Sequence, residues 1–115
     1  MSLAVLDMVA TLAFEAQEEQ RPPAAFGTNI CDRLSKQQGK DIPAAKVYIT
    51  LKRLEGYQLV RSQVVQRRRI YELTFDGEKA LAAGIERNGS WAEQQGLLSW
   101  LRNKFQPPLP DGQSG

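Results

Sequence analysis

Two short segments, Leu59 to Val64 and Arg68 to Leu73, are separated by so few residues (Val65, Gln66, Arg67) that only a tight hairpin can join them. The first is rich in Val and Leu. In the second, alternation puts Arg69, Tyr71 and Leu73 on one face, with Tyr71 and Leu73 read as core. Three consecutive arginines, Arg67, Arg68 and Arg69, therefore fall at or beside the hairpin tip. Everything before this hairpin reads as helix, and so does most of the chain after it. The 115 residues fit one small domain.

Three helices are expected ahead of the hairpin. Leu3 to Ala16 carries Val5, Val9, Leu12 and Ala16 at helical spacing with Leu6 and Ala13 beside them, and Ser2 is placed to cap it. Gln17 to Gln20 frays this helix and Pro22-Pro23 stops it. A second helix runs from Phe26 or Thr28 to Gln37, with Thr28 as its expected cap. Ile30, Cys31 and Leu34 point inward, and Cys31 is read as a small buried apolar residue. The third helix runs from about Pro43 to Glu55, with Gly56 as C-cap. At 100° per residue, Val47, Leu51 and Leu54 cluster on one side, while Ala45, Lys46, Ile49, Lys52 and Arg53 face the other, with Tyr48 and Thr50 at the flanks. Apolar side chains framed by cations suit thymine methyls and phosphates.

After the hairpin, Thr74 begins a helix in which Phe75, Leu81, Ala82 and Ile85 are spaced for one apolar side. Asn88-Gly89-Ser90 breaks or kinks it, and Ser90-Trp91-Ala92-Glu93 has the form of a capping box, so residues 75–105 form one kinked helix or two. Trp91, Leu97, Leu98, Trp100, Leu101 and Phe105 exceed what a domain of this size needs for its own core. A two-fold interface between copies would bury the excess, the alternative being that this helix folds back on its own domain. The Pro- and Gly-rich tail 106–115 is expected to be disordered.

Composition removes most alternatives. With no histidine, one cysteine and no Gly-rich phosphate loop, the chain lacks the residues for His-based catalysis, a structural zinc site or a nucleotide cradle. The carboxylate pairs Glu18/Glu19 and Asp76/Glu78 read as solvated surface. We therefore expect no enzyme, no cofactor and no metal. No apolar run spans a bilayer, and Met-Ser-Leu-Ala lacks the pattern of a secretory signal, so a cytoplasmic location is expected. Net charge is only +2, but Asp41 to Tyr71 holds seven basic and two acidic residues, leaving eight basic and eleven acidic elsewhere. A mildly acidic body with one basic zone is built to meet an anion.

The order helix, helix, helix, strand, strand, helix, with cations on the third helix and the hairpin tip, is the layout of a winged helix-turn-helix: mainly α with a small β hairpin, an α+β fold. Val47-Tyr48-Ile49-Thr50-Leu51-Lys52-Arg53-Leu54-Glu55-Gly56-Tyr57-Gln58-Leu59-Val60 resembles the recognition-helix signature of PadR-type transcriptional regulators. Arg67 to Gly77 is similar to that family's second wing strand and its Tyr-x-Leu-Thr-x-x-Gly lead into the next helix. Phe26-Gly27-Thr28-Asn29-Ile30 is similar to its aromatic-Gly-Tyr-x-Ile segment, with Thr28 in place of the tyrosine. The segment Glu15 to Ala25 is longer than usual for the family, and the wing tip is short and lacks glycine.

The resemblance, over roughly residues 3 to 85, implies a homodimeric, sequence-specific DNA-binding repressor. Its winged helix-turn-helix would span 1–74, a C-terminal helical dimerisation segment 75–105 and the disordered tail 106–115. The recognition helix, about 43–55, would enter the major groove and the wing, 59–73, would lie on the backbone. Expected DNA contacts are Lys46, Tyr48, Ile49, Lys52 and Arg53 on that helix and Arg67 and Arg68 on the wing, with Arg69 held along its strand. Thr28 and Asn29 would offer backbone N–H groups to a phosphate. Leu81, Ile85, Trp91, Leu97, Leu98, Trp100, Leu101 and Phe105 are expected at the dimer interface, where Trp91 and Trp100 could also hold a small hydrophobic or aromatic effector. The competing expectation is a winged-helix protein–protein adaptor that binds no DNA.

Overall fold

In the computed structural model, which describes residues 2–23 and 25–87, the chain folds as α1 (Ser2–Glu18), α2 (Gly27–Gln38), α3 (Ala44–Gly56), β1 (Val60–Val65), β2 (Arg68–Leu73) and α4 (Phe75–Arg87). This is the expected order of elements, and it is a winged helix. The strands pair antiparallel from Val60↔Leu73 to Val65↔Arg68, leaving Gln66 and Arg67 as a two-residue turn. Both turn residues have positive φ, 52° and 67°. That is the geometry in which a two-residue loop matches the twist of its strands, here adopted without a glycine. Beside β2, the Tyr71 N–H donates to the Ala25 carbonyl at 3.0 Å and Phe26 bridges Ile70, so the chain entering α2 adds a rung to the sheet.

The core is one cluster that draws on every element, with Val5, Val9, Ile30, Leu34, Val47, Leu51 and Leu81 almost wholly buried. α1 departs from the one-sided helix its spacing predicts. It buries every residue from Val5 to Ala10, Asp7 included, because α2, α3, β2 and α4 all pack around it. Cys31 is half-buried, and its thiol donates to the Ile42 carbonyl at 3.2 Å.

Several local expectations are corrected. Ser2 is the first helical residue of α1. Thr28 lies inside the first turn of α2, and Phe26 holds the capping position with no side-chain cap bond. Gly56 is the last residue of α3. The left-handed residue that turns the chain is Gln58, at φ 63°, and the Leu59 N–H closes the turn onto the Leu54 carbonyl at 2.9 Å, which delays β1 by one residue. Phe75 is 53% exposed, with the Lys79 ammonium 5.4 Å over its ring, and is no part of the apolar side of α4.

Leu81 and Ile85, expected at a dimer interface, are buried in the chain's own core at 0% and 5% exposure. α4 shares that core with the other helices, so the expected unit 75–105 begins inside it. The Asn88-Gly89-Ser90 break, Trp91, Leu97, Leu98, Trp100, Leu101, Phe105 and the tail lie outside the described residues.

An ion pair joins α1 and α2. Both Arg33 nitrogens donate to the Glu15 carboxylate, at 2.8 and 2.7 Å, joining α2 to α1. The hydrogen bonds from Arg33 hold the Glu15 carboxyl below the usual carboxylate range, against a smaller opposing effect of burial. A depressed carboxyl stabilises the fold above its unfolded value and loses that contribution as pH falls through its folded one. Both side chains are partly solvated, so Arg33→Met should cost no more than about 1 kcal/mol at pH 7. In urea titrations the gap between variant and parent should close as pH drops below about 4.

Candidate nucleic-acid interface

The face of α3 opposite its core residues is open. Val47, Leu51 and Leu54 are buried, as is Thr50, whose hydroxyl donates back to the Lys46 carbonyl at 2.9 Å. Ala45, Lys46, Ile49, Lys52 and Arg53 are all exposed, and Ile49, at the centre, is 60% exposed. No described part of the chain covers this surface. Among the described residues none of its three cations makes an ion pair.

Tyr48, on the flank of α3, reaches toward the start of α2. A Cβ on Gly27 would lie 2.4 Å from the Tyr48 hydroxyl, so the glycine is what lets ring and helix end meet. Across from them stands the wing. The Arg68 guanidinium lies 3.8 Å over the Phe26 ring, a cation–π contact that holds it beside α2. Arg69 donates to the Ser62 hydroxyl at 2.8 Å, and Ser62 donates in turn to the Glu55 carboxylate at 2.9 Å. Arg69 is thus held along its strand as expected from sequence.

These groups enclose a cleft of about 330 Å³ lined by Phe26, Gly27, Thr28, Tyr48, Arg68, Arg69 and Tyr71. It combines two guanidinium groups, two phenols and the N-terminal turn of α2, whose first N–H groups have no partner within the helix. Among the described residues no carboxylate lines it. Burial pushes the Tyr71 phenol up, so it stays protonated and able to donate. Such a set matches a phosphodiester oxygen pair chemically.

The structure brings Thr28, Tyr48 and Arg68 of the expected contact residues into this cleft. Asn29, expected to offer its backbone N–H, lies in the first turn of α2 and lines a separate depression with Leu12, Arg21, Asp32, Arg33 and Lys36. Arg67 is exposed in the wing turn. Phe26, Gly27 and Arg69 were not singled out from sequence as part of a site. The only local signal was an aromatic-glycine pair opening a helix, and nothing in it points at Tyr48, which is 21 residues away.

The family model described as the transcriptional regulator PadR-like family matches residues 19–83, more than half the chain. The chain belongs to the PadR-like family. The match begins just after α1 and runs through α2, α3 and the wing into α4, so it contains the whole of the cleft and of the open α3 face. Members of the PadR-like family are transcriptional regulators. Neither a search of curated proteins nor one of solved structures finds a match. Among the described residues no helix is long and apolar enough to cross a membrane.

Proposed function

We propose that this PadR-like regulator is a sequence-specific DNA-binding repressor that works as a homodimer, with α3 in the major groove and the wing on the adjacent backbone. The observation that carries the reading is the outer face of α3, which no described residue covers, with three cations that make no ion pair among the described residues around an exposed isoleucine, set beside an arginine-bearing wing. Lys46 and Arg53 serve base edges or phosphates, Ile49 meets thymine methyls and Lys52 a phosphate. Tyr48, Thr28, Arg68 and Arg69 hold one backbone phosphate in their cleft, and Arg67 takes a neighbouring one. The apolar residues from Trp91 to Phe105 supply the surface through which two copies join, with Trp91 and Trp100 available to a flat effector.

Salt dependence tests the reading. Affinity for duplex DNA should fall linearly with salt on a log–log plot, and each lost phosphate contact should flatten the slope by about 0.9. The double variant Arg67→Ala/Arg68→Ala should therefore bind with a visibly flatter slope. An unchanged slope would remove the wing from the interface, and an absence of duplex binding at low salt would leave the adaptor reading.

A further inference from the structure

Arg69 stands in the anion cleft by an indirect hold. Its guanidinium donates to the Ser62 hydroxyl at 2.8 Å, and that hydroxyl donates to the Glu55 carboxylate at 2.9 Å. The hairpin register, Ser62↔Tyr71 and Val64↔Arg69, makes Ser62 and Arg69 diagonal neighbours on one face of the wing. Glu55 lies two turns beyond Tyr48 on the same flank of α3. A carboxylate only accepts hydrogen bonds and a guanidinium only donates them, so a serine between the two fits in one sense alone. Its proton goes to Glu55 and a lone pair faces Arg69. The Tyr71 phenol, raised chiefly by burial, is also lowered by Arg69 and raised by Glu55, so both charges lie about one ring. Yet neither Arg69 nor Glu55 makes an ion pair among the described residues. Arg69 lines the cleft and Glu55 does not.

We propose that Ser62 and Glu55 are positioning residues for the phosphate grip: the serine is a neutral spacer that aims Arg69 into the cleft and keeps it off the Glu55 carboxylate. What Arg69 meets in the cleft rests on the DNA-binding reading, whereas the spacer itself does not. A direct Arg69–Glu55 pair would cancel one of the two guanidinium charges of the cleft, and an incoming phosphate would have to break it. With the hydroxyl in between, the arginine is oriented in advance and its charge stays available for a charge-assisted bond. Arg68, the other guanidinium, is held independently over the Phe26 ring. Glu55 belongs to α3, and Ser62 and Arg69 to the wing. The same bridge therefore ties the helix meant for the groove to the hairpin meant for the backbone.

The decisive variant is Ser62→Ala, which removes the hydroxyl and lets Arg69 close on Glu55. In duplex binding by the full chain, Arg69→Ala should flatten the log–log salt slope by about 0.9 per protomer, and Ser62→Ala by at least about half of that. Ser62→Ala should also weaken binding at physiological salt about fivefold, the cost of breaking an exposed ion pair. Adding Glu55→Gln to Ser62→Ala should return the slope to that of the parent, because no carboxylate is left to capture the arginine. Ser62→Thr, which keeps the hydroxyl, should keep the slope. A tie that did no more than fasten the wing would be weakened further by the second substitution, not rescued. In the absence of DNA, the Arg69 Nε–H resonance of the isotope-labelled chain should shift in Ser62→Ala and shift back in the double variant. An unchanged slope in Ser62→Ala, a flattened slope that survives in the double variant, or a resonance that does not move would each overturn the spacer. A parent chain whose variants show these resonance shifts but which binds no duplex would overturn the DNA reading and leave the spacer standing.

Discussion

Replacing Ile49 with glutamate should cost DNA affinity about 100-fold while leaving the fold intact. Ile49 sits at the centre of the open α3 face, one turn from Ala45 and Lys46 on one side and from Lys52 and Arg53 on the other. At 60% exposure it contributes little to the core. A surface change of this kind moves stability by about 0.5 kcal/mol at most, and glutamate is the better helix former. The new carboxylate is placed to pair with Arg53, four residues on, which favours the helix and withdraws a cation from DNA. It also brings a negative charge against a polyanion, a juxtaposition worth about 3 kcal/mol, or about 100-fold. Ile49→Ala removes only the methyl-to-methyl contact and should cost about tenfold. Fluorescence anisotropy with a labelled duplex, beside a thermal melt, checks both halves. Unimpaired binding by Ile49→Glu would take α3 out of the groove.

The largest stability effect is expected at Gly77. A Cβ there would lie 1.9 Å from the Leu59 carbonyl oxygen. That oxygen already accepts the Thr74 N–H at 3.0 Å, while the Thr74 hydroxyl accepts the Gly77 N–H at 3.0 Å and donates to the Gln58 carbonyl at 2.6 Å. Thr74 thus caps α4 and fastens it to the turn between α3 and β1. Alanine normally favours a helix over glycine by about 1 kcal/mol. Here its methyl group would meet backbone, which has no rotamer to escape into, and the junction of α4 with β1 must open. Gly77→Ala should destabilise by about 3 kcal/mol and lower Tm by roughly 10–20 °C. Gly56→Ala supplies the opposite sign. With open space around it and helical backbone, it should stabilise by about 0.5–1 kcal/mol. A left-handed cap at Gly56 would have given a loss.

These two glycines mark how far the sequence can be read. Periodicity reports on faces, and it was sufficient for α3: Val47, Leu51 and Leu54 turn inward, and the five residues opposite are all exposed. It was sufficient as well for a hairpin with its arginines at the tip. Where local pattern and tertiary packing compete, packing decides. α1 looks amphipathic yet is enclosed because four elements converge on it, and Phe75 has the spacing of a core residue but lies beyond the edge of the core. Gly56 looked like a cap because glycine favours left-handed backbone, but the turn one residue after Tyr57 places that conformation on Gln58. The anion cleft was only half legible. Tyr48 and Arg68 were visible as cationic or aromatic surface, but the approach of Tyr48 to Gly27 and the stacking of Arg68 on Phe26 join distant segments, and no spacing rule encodes them.

The central claim is that the open α3 face and the wing together read duplex DNA. Its most direct test is selection of bound fragments from a random duplex pool by the full chain at physiological salt. We expect enrichment of a site whose two halves are related by two-fold symmetry and spaced about one helical turn apart, with the enrichment lost in Ile49→Glu. A pool that emerges no different from the input, or the same site enriched by Ile49→Glu, would contradict it.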